Sequence, residues 1–315
     1  MKLAHALLQA LKDYGAGEIF GIPGDFALPL FRQIERINTL PLYTLSHEPA
    51  VGFAADAAGR YRSTIGVACV TYGAGALNMI NPVATAYAEK SPLVVISGAP
   101  GAAERTMGLG LHHQVKHFDS QMLIMREVTC AQCVLDDPAT AAAEIARVLT
   151  AARHLSRPVY IEFPRDMVEA EVSEVPAFKP AIKNAAAAGE AARQTLKMLE
   201  TTKKPAMLLG VEVRRYGLEK KVAKLAKTLG IPVLTTFMGR GILAETGAPT
   251  AGTYLGLAGD ALTRRLVERA DGLLMLGVAA AAVLFTLIDL ERRSSHNARR
   301  SNGSVTGSSR MGAVL

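Results

Sequence analysis

The sequence has 315 residues, half of them apolar and 20% charged. That is enough apolar material for a core in about two domains of roughly 100–200 residues each, and it excludes a disordered chain. Ordinary glycine and proline usage excludes collagen-like character, and three cysteines exclude a disulfide scaffold and fit a reducing compartment. The net charge is +7, but four of those charges fall between Glu291 and Leu315, and there is no tryptophan and no interleaving of basic with aromatic residues. No nucleic-acid partner is expected.

In chain order, Leu3, Leu7, Leu8 and Leu11 form one stripe of a helix over 3–14, which Gly15-Ala16-Gly17 terminates. No cleavage-like small-residue site follows, so the segment does not read as a signal peptide and the expected location is cytoplasmic. A short apolar run, Glu18–Ile22, leads into Pro23-Gly24, with Asp25 placed to cap a helix over 26–38. A strand at 42–45 precedes a small-residue helix, Glu48–Arg62. Ile65–Tyr72 is a continuous apolar run of the kind covered on both faces. Gly73-Ala74-Gly75 turns into a helix over Ala76–Glu89, and Leu93–Ser97 is a second buried strand. A strand at 127–134, a helix at 139–153 and a strand at 158–163 complete the first half.

Prolines 164, 176 and 180 and an alanine run then mark an interdomain linker. The pattern restarts with a helix at 189–200, strand Ala206–Gly210, helix 217–229, strand Pro232–Thr236, helix 260–269 and strand Gly272–Gly277. Alternation of strand and helix predicts an α/β fold: two doubly wound parallel sheets with helices on both faces. The predicted division is a first domain over 1–165, a linker over 166–188, an incomplete Rossmann-like second domain over 189–290, and a disordered basic tail over 291–315.

Several isolated motifs carry little. His47-Glu48-Pro49-Ala50-Val51 lacks the second histidine of a zinc-protease helix. Cys130 and Cys133 form a lone CxxC in a strand-like run, where residues three apart point to opposite faces. The second half has no GxGxxG after a strand. Adjacent histidines, His112 and His113, are poor chelators without local companions, and no metal ligands are expected in this chain. Asp25 as a helix cap and Glu48 as a first-turn acid have purely structural readings.

The order of motifs says more than any one of them. FGIPGDFALPLF (20–31), SHEPAVGFAADAAGRYRSTIGVACVTYGAGALN (46–78), AEKSPLVVISGAP (88–100) and LHHQVKH (111–117) resemble the N-terminal domain of thiamine-diphosphate-dependent 2-oxo acid decarboxylases. Residues 211–245 resemble the middle domain of their indolepyruvate/phenylpyruvate branch, and the resemblance covers about residues 1–278. It implies a pyrimidine-binding first domain and non-oxidative decarboxylation of an aromatic 2-oxo acid to an aldehyde, with thiamine diphosphate as electron sink and magnesium as its partner ion.

Glu48 matches the family's glutamate that hydrogen-bonds the aminopyrimidine. That role needs a carboxyl able to share a proton near neutral pH, and hence a partly buried site. Asp25, His112 and His113 match the polar residues that relay protons and orient substrate, while Thr71 and Gly73 fall in the cofactor-binding turn. The small residues around Glu48 would let helices approach closely, and the resemblance implies that this region lies at a dimer interface, and so a homo-oligomer through the first domain.

The family's third domain, with the GDG motif whose neighbourhood holds magnesium and the diphosphate, has no counterpart: the nearest strings are PGD at 23–25 and AGD at 258–260. The chain alone is therefore expected to have little decarboxylase activity. A non-catalytic role, binding a full-length homologue, is the alternative. A third reading takes the uncharged stretch Gly272–Ile288, followed by Arg292 and Arg293, as a C-terminal membrane anchor. It is disfavoured because the start of that stretch reads as a strand.

Overall fold

In the computed structural model, which describes residues 1–108, 110–181 and 184–278, every strand pairs in parallel with its sheet neighbours. The chain divides into two units after Ala181. The first runs α1 (Leu3–Asp13), β1 (Ile19–Gly21), α2 (Leu28–Ile37), β2 (Leu42–Thr44), α3 (Glu48–Arg62), β3 (Gly66–Val70), α4 (Ala74–Leu77), α5 (Ile80–Ala88) and β4 (Leu93–Ala99). It continues with α6 (Ala102–Thr106), α7 (Ser120–Arg126), β5 (Gln132–Val134), α8 (Ala141–Leu155) and β6 (Val159–Pro164).

Its sheet has the order β2-β1-β3-β4-β6-β5. The strands' alternate residues feed two separate cores, as a pleated strand covered on both faces requires. Val67 and Cys69 of β3, Val94 and Ile96 of β4, and Ile161 and Phe163 of β6 pack with α1, α2 and α8. Ala68 and Val70, Leu93 and Val95, and Tyr160 pack instead with Val51 and Ala55 of α3, Val83 of α5 and Met125 of α7. The doubly wound α/β expectation is met.

Close approach of α3 to this sheet depends on missing side chains. A Cβ on Gly66 would lie 1.9 Å from the Ala55 carbonyl oxygen, and one on Gly52 would lie 2.5 Å from Pro82 of α5. The stretch after β6 packs along α1: Val168 and Val172 are buried, Leu3 donates its N–H to Ala170 O (2.9 Å), and the Tyr14 hydroxyl donates to Pro176 O (3.1 Å).

The second unit contains α9 (Ala185–Glu200), β7 (Pro205–Leu209), α10 (Glu212–Arg215), α11 (Glu219–Leu229), β8 (Val233–Thr235), β9 (Gly252–Thr253), α12 (Ala261–Glu268) and β10 (Gly272–Leu276), with sheet order β10-β7-β8-β9. Met207 and Leu209 face Val222 and Ala226 of α11, while Ala206 and Leu208 face Val267 of α12 and Tyr254. Asp260 caps α12 by accepting from Leu262 N (2.7 Å) and Thr263 N (3.2 Å). Gly189 sits inside exposed α9 with nothing within 4 Å of where its Cβ would be. Gly189→Ala should therefore stabilise the chain by about 0.5–1 kcal/mol. Urea unfolding would show it, and a loss of stability would mean that the helix is not formed as described.

Two predicted elements differ. The helix expected over 76–89 is broken into α4 and α5, because Pro82 has no N–H and its ring crowds the carbonyl four residues back, at Asn78. The strand expected over 127–134 is only Gln132–Val134, an edge strand preceded by α7. Cys130 therefore lies outside the strand, and both it and Cys133 pack on the same core, not on opposite faces. Burial pushes the Cys133 thiol up to about 12 and raises that of Cys130, so neither is a ready thiolate. The expected anchor's first residues, Gly272–Leu276, form β10 and pair with β7, and no helix among the described residues is long and apolar enough to cross a membrane. The expected disordered tail, 291–315, lies outside the described residues.

Candidate active site

Strand order places the site. From β1 the chain moves to β2 on one side and then to β3 on the other, so a crevice opens where the carboxyl ends of β1 and β3 part company. Doubly wound sheets bind their ligands at such a switch point. The loop after β1 brings Ile22, Pro23, Gly24 and Asp25, and the loop after β3 brings Thr71 and Gly73. Gly24 lets the loops touch, since a Cβ there would be 2.5 Å from Thr71 Cβ. Glu48 enters as the first residue of α3, and His112 and His113 come from the segment between α6 and α7.

Asp25, Glu48, Thr71, His112 and His113 all line one cavity of about 570 Å³, together with Ile22, Pro23, Gly24, Ala74, Gly75 and Asn78. Gly73 supports it from below: it is buried, with φ +73°. Glu48 is half-buried, and its Oε2 accepts from Asn78 Nδ2 (3.0 Å). The same amide group lies 3.3 Å from His47 Nε2. A Cβ on Gly75 would come within 3.3 Å of Glu48 Oε1, so the glycine keeps that oxygen open to the cavity. The helix-terminus reading of Glu48 holds as well, because a carboxylate there faces the positive end of α3.

Asp25 is not a helix cap. α2 starts at Leu28, and the preceding turn is closed by backbone bonds from Ala27 and Leu28 N–H to Gly24 O (both 2.8 Å). The Asp25 carboxylate is exposed and aimed at the cavity, with the Thr71 hydroxyl at 3.5 Å. The histidines occupy a tight turn in which His113 is left-handed, φ +66°, and this brings two consecutive imidazoles to a centroid separation of 3.7 Å. The turn rests on Gly73, where a Cβ would lie 1.9 Å from the His113 carbonyl oxygen. The chemistry gathered here is two carboxylates, two imidazoles, a hydroxyl and an amide; among the described residues, no lysine or arginine lines the cavity.

Sequence reading missed Gln121. This buried side chain accepts the Gly73 N–H at Oε1 (2.6 Å). Its amide nitrogen sits among Ser97 Oγ (3.0 Å), the Tyr160 hydroxyl and Glu162 Oε1 (3.5 Å). It thus ties the turn beneath His113 to the sheet. The available signal was a glutamine heading the apolar run QMLIM, and no spacing rule picks it out.

Glu162 is buried too. Desolvation raises its carboxyl above the ordinary range, against the opposing Tyr160 hydroxyl bond (3.0 Å) and the Arg105 charge (3.3 Å), with Asp119 adding to the rise. The folded chain therefore holds this proton to higher pH than the unfolded chain does. The stabilisation is complete below the ordinary glutamate value of about 4.3 and is lost as pH climbs through the raised one. Urea titrations over pH should show wild-type stability falling relative to Glu162→Gln once pH exceeds about 4.3, and levelling off above the raised value. Parallel curves would remove the proposed linkage.

Residues 1–123 match the family model for the thiamine pyrophosphate enzyme N-terminal TPP-binding domain, and residues 192–297 match that for the thiamine pyrophosphate enzyme central domain, so the match continues past Val278. Indole-3-pyruvate decarboxylase of Azospirillum brasilense is 60% identical over 299 residues, covering 93% of this chain and 54% of that protein. Pyruvate decarboxylase of Aspergillus parasiticus is 36% identical over 253 residues (78% of this chain, 44% of that protein). Alpha-keto-acid decarboxylase of Mycobacterium tuberculosis H37Rv is 32% identical over 281 residues (86% and 49%). The chain spans about half the length of the curated relatives it matches. With both family models matched in order and the crevice formed at the β1/β3 switch point, the chain belongs to the thiamine pyrophosphate enzymes, carrying their N-terminal and central domains.

Proposed function

We propose that this chain supplies the pyrimidine-handling part of a thiamine-diphosphate-dependent decarboxylase that converts a 2-oxo acid, of the indolepyruvate or phenylpyruvate kind, to an aldehyde. The observation that carries the reading is the meeting of Glu48, Asp25, His112 and His113 in one crevice. In this reading residues 1–165 are the pyrimidine-binding domain and 189–290 the middle domain.

The residues fit one end of the cofactor. Glu48 Oε1 is kept open by Gly75, half-buried, and able to share a proton with a ring nitrogen. They do not fit the other end, since two carboxylates with no basic side chain beside them repel a diphosphate. The magnesium ligands then belong to the half of the relatives that this chain does not span. When bound, thiamine diphosphate supplies the electron sink for loss of carbon dioxide.

The protein's own share is positioning and proton movement. Glu48 holds a proton against the pyrimidine, with Asn78 fixing its other oxygen. The imidazoles, whose two ring nitrogens can donate and accept a proton, orient the 2-oxo acid and exchange protons with it, and Asp25 does so from the opposite loop. A homo-oligomer is part of this reading: Phe53 and Tyr61 of α3 and Tyr43 of β2 leave apolar surface exposed, with Tyr61 92% accessible. Sedimentation should show a species larger than the monomer, weakened by Tyr61→Lys with Phe53→Lys.

The deciding experiment is a chimera in which residues 1–278 replace the matching half of the Azospirillum relative. Aldehyde formation from indolepyruvate or phenylpyruvate, with thiamine diphosphate and magnesium, is expected. A folded chimera that produces no aldehyde would overturn the assignment.

A further inference from the structure

We propose that Asp25, His112 and His113 form a binding site for a borderline divalent transition-metal ion of the zinc class. Two imidazoles and one carboxylate are a donor set such ions take, with remaining positions left to water. Their ligand atoms lie within 4.8 Å of one another. Bound donors sit about 3.3 Å apart at the Zn–N and Zn–O bond lengths of a tetrahedral centre. All three side chains are exposed, so small side-chain rotations close that gap.

The site is built by the backbone rather than by chance proximity of flexible groups. Consecutive side chains normally diverge; here the left-handed turn at His113 turns both rings the same way. The turn is closed in both directions between Leu111 and Gln114, by Gln114 N to Leu111 O and Leu111 N to Gln114 Oε1, each 3.0 Å. It is seated on Gly73, which Gln121 holds by its N–H. Among the described residues neither imidazole has a hydrogen-bond partner, so their lone pairs are open to an ion. The Thr71 hydroxyl, 3.5 Å from Asp25 Oδ1, is placed to orient the carboxylate.

This site is distinct from a magnesium site. Magnesium takes oxygen donors in octahedral geometry and gains little from imidazole. If the proposed reaction is correct, the ion occupies groups that the substrate needs and acts as an inhibitor. The binding claim itself does not rest on that reading.

Calorimetric titration of the 315-residue chain with zinc chloride tests it, with cobalt(II) absorption as a second readout. The expected result is one ion per chain, with affinity unchanged by excess magnesium. Affinity should weaken at least about tenfold in Asp25→Asn, His112→Gln and His113→Asn, the last keeping a residue that tolerates the left-handed turn. His5→Gln, a substitution of an exposed histidine on α1, should bind as wild type does. Circular dichroism confirms that each variant is folded. Wild-type affinity in any of the three site variants, loss of binding in His5→Gln, or no saturable binding to the wild type would each overturn the proposal.

Discussion

Glu48→Gln should abolish most of the decarboxylase activity of the chimera while leaving its fold intact. Glutamine has the same shape, and its side-chain oxygen can still accept from Asn78, so the helix start and the bond at 3.0 Å survive. What is lost is the ability to hold and pass a proton at Oε1, the oxygen that Gly75 leaves open. Proton transfer by a positioned side chain is worth about 10²–10⁴ in rate. The expected fall in kcat is therefore of that order, with an unchanged melting temperature and little change in substrate KM. A variant within threefold of the parent would leave Glu48 only its role as a first-turn acid, and the proposed function would lose its central residue.

Gly66→Ala should be strongly destabilising for a single added methyl. The new Cβ would sit 1.9 Å from the Ala55 carbonyl oxygen and 2.6 Å from its carbon. Both partners are backbone, one in a central strand and one in α3, so no side chain can swing away. Over-packing a core costs about 1–3 kcal/mol when side chains yield, and a backbone collision places this variant at or above the upper end. Since α3 begins with Glu48, moving the helix also moves the carboxylate proposed to act on the pyrimidine, and activity of the chimera should fall with stability. Urea unfolding of Gly66→Ala beside Gly110→Ala, where nothing lies within 4 Å, separates the collision from the generic effect of a methyl. Equal midpoints would show that α3 does not press on β3.

Much of this was readable before any coordinates. α3 falls at Glu48–Arg62 as its small-residue pattern requires, and the apolar runs at β3 and β4 are the strands buried on both faces. α6 and α7 were missed because five and seven residues span at most two helical turns, and β9 because two residues cannot show alternation. The candidate residues were found through the order of their motifs, whereas their convergence was not legible. Alternating strands and helices imply a parallel sheet but not that β1 lies between β2 and β3, and that adjacency is what joins the Asp25 loop to the Thr71 loop. The histidine pair could not be read as convergent either, because its geometry depends on one left-handed residue and on a glycine forty residues earlier.

The second sheet has a consequence for the chain as it is made. Its first strand, β7, is flanked by β8 on one side and by β10 on the other, with Pro205 paired to Gly272 and Leu209 to Leu276. Until the ribosome has released residue 276, one edge of β7 has no neighbour. Met207 and Leu208, fully buried in the finished unit, then sit on an open row of backbone donors and acceptors. Such an edge is a template for pairing with another chain. Synthesis that pauses between β9 and β10 should therefore favour aggregates.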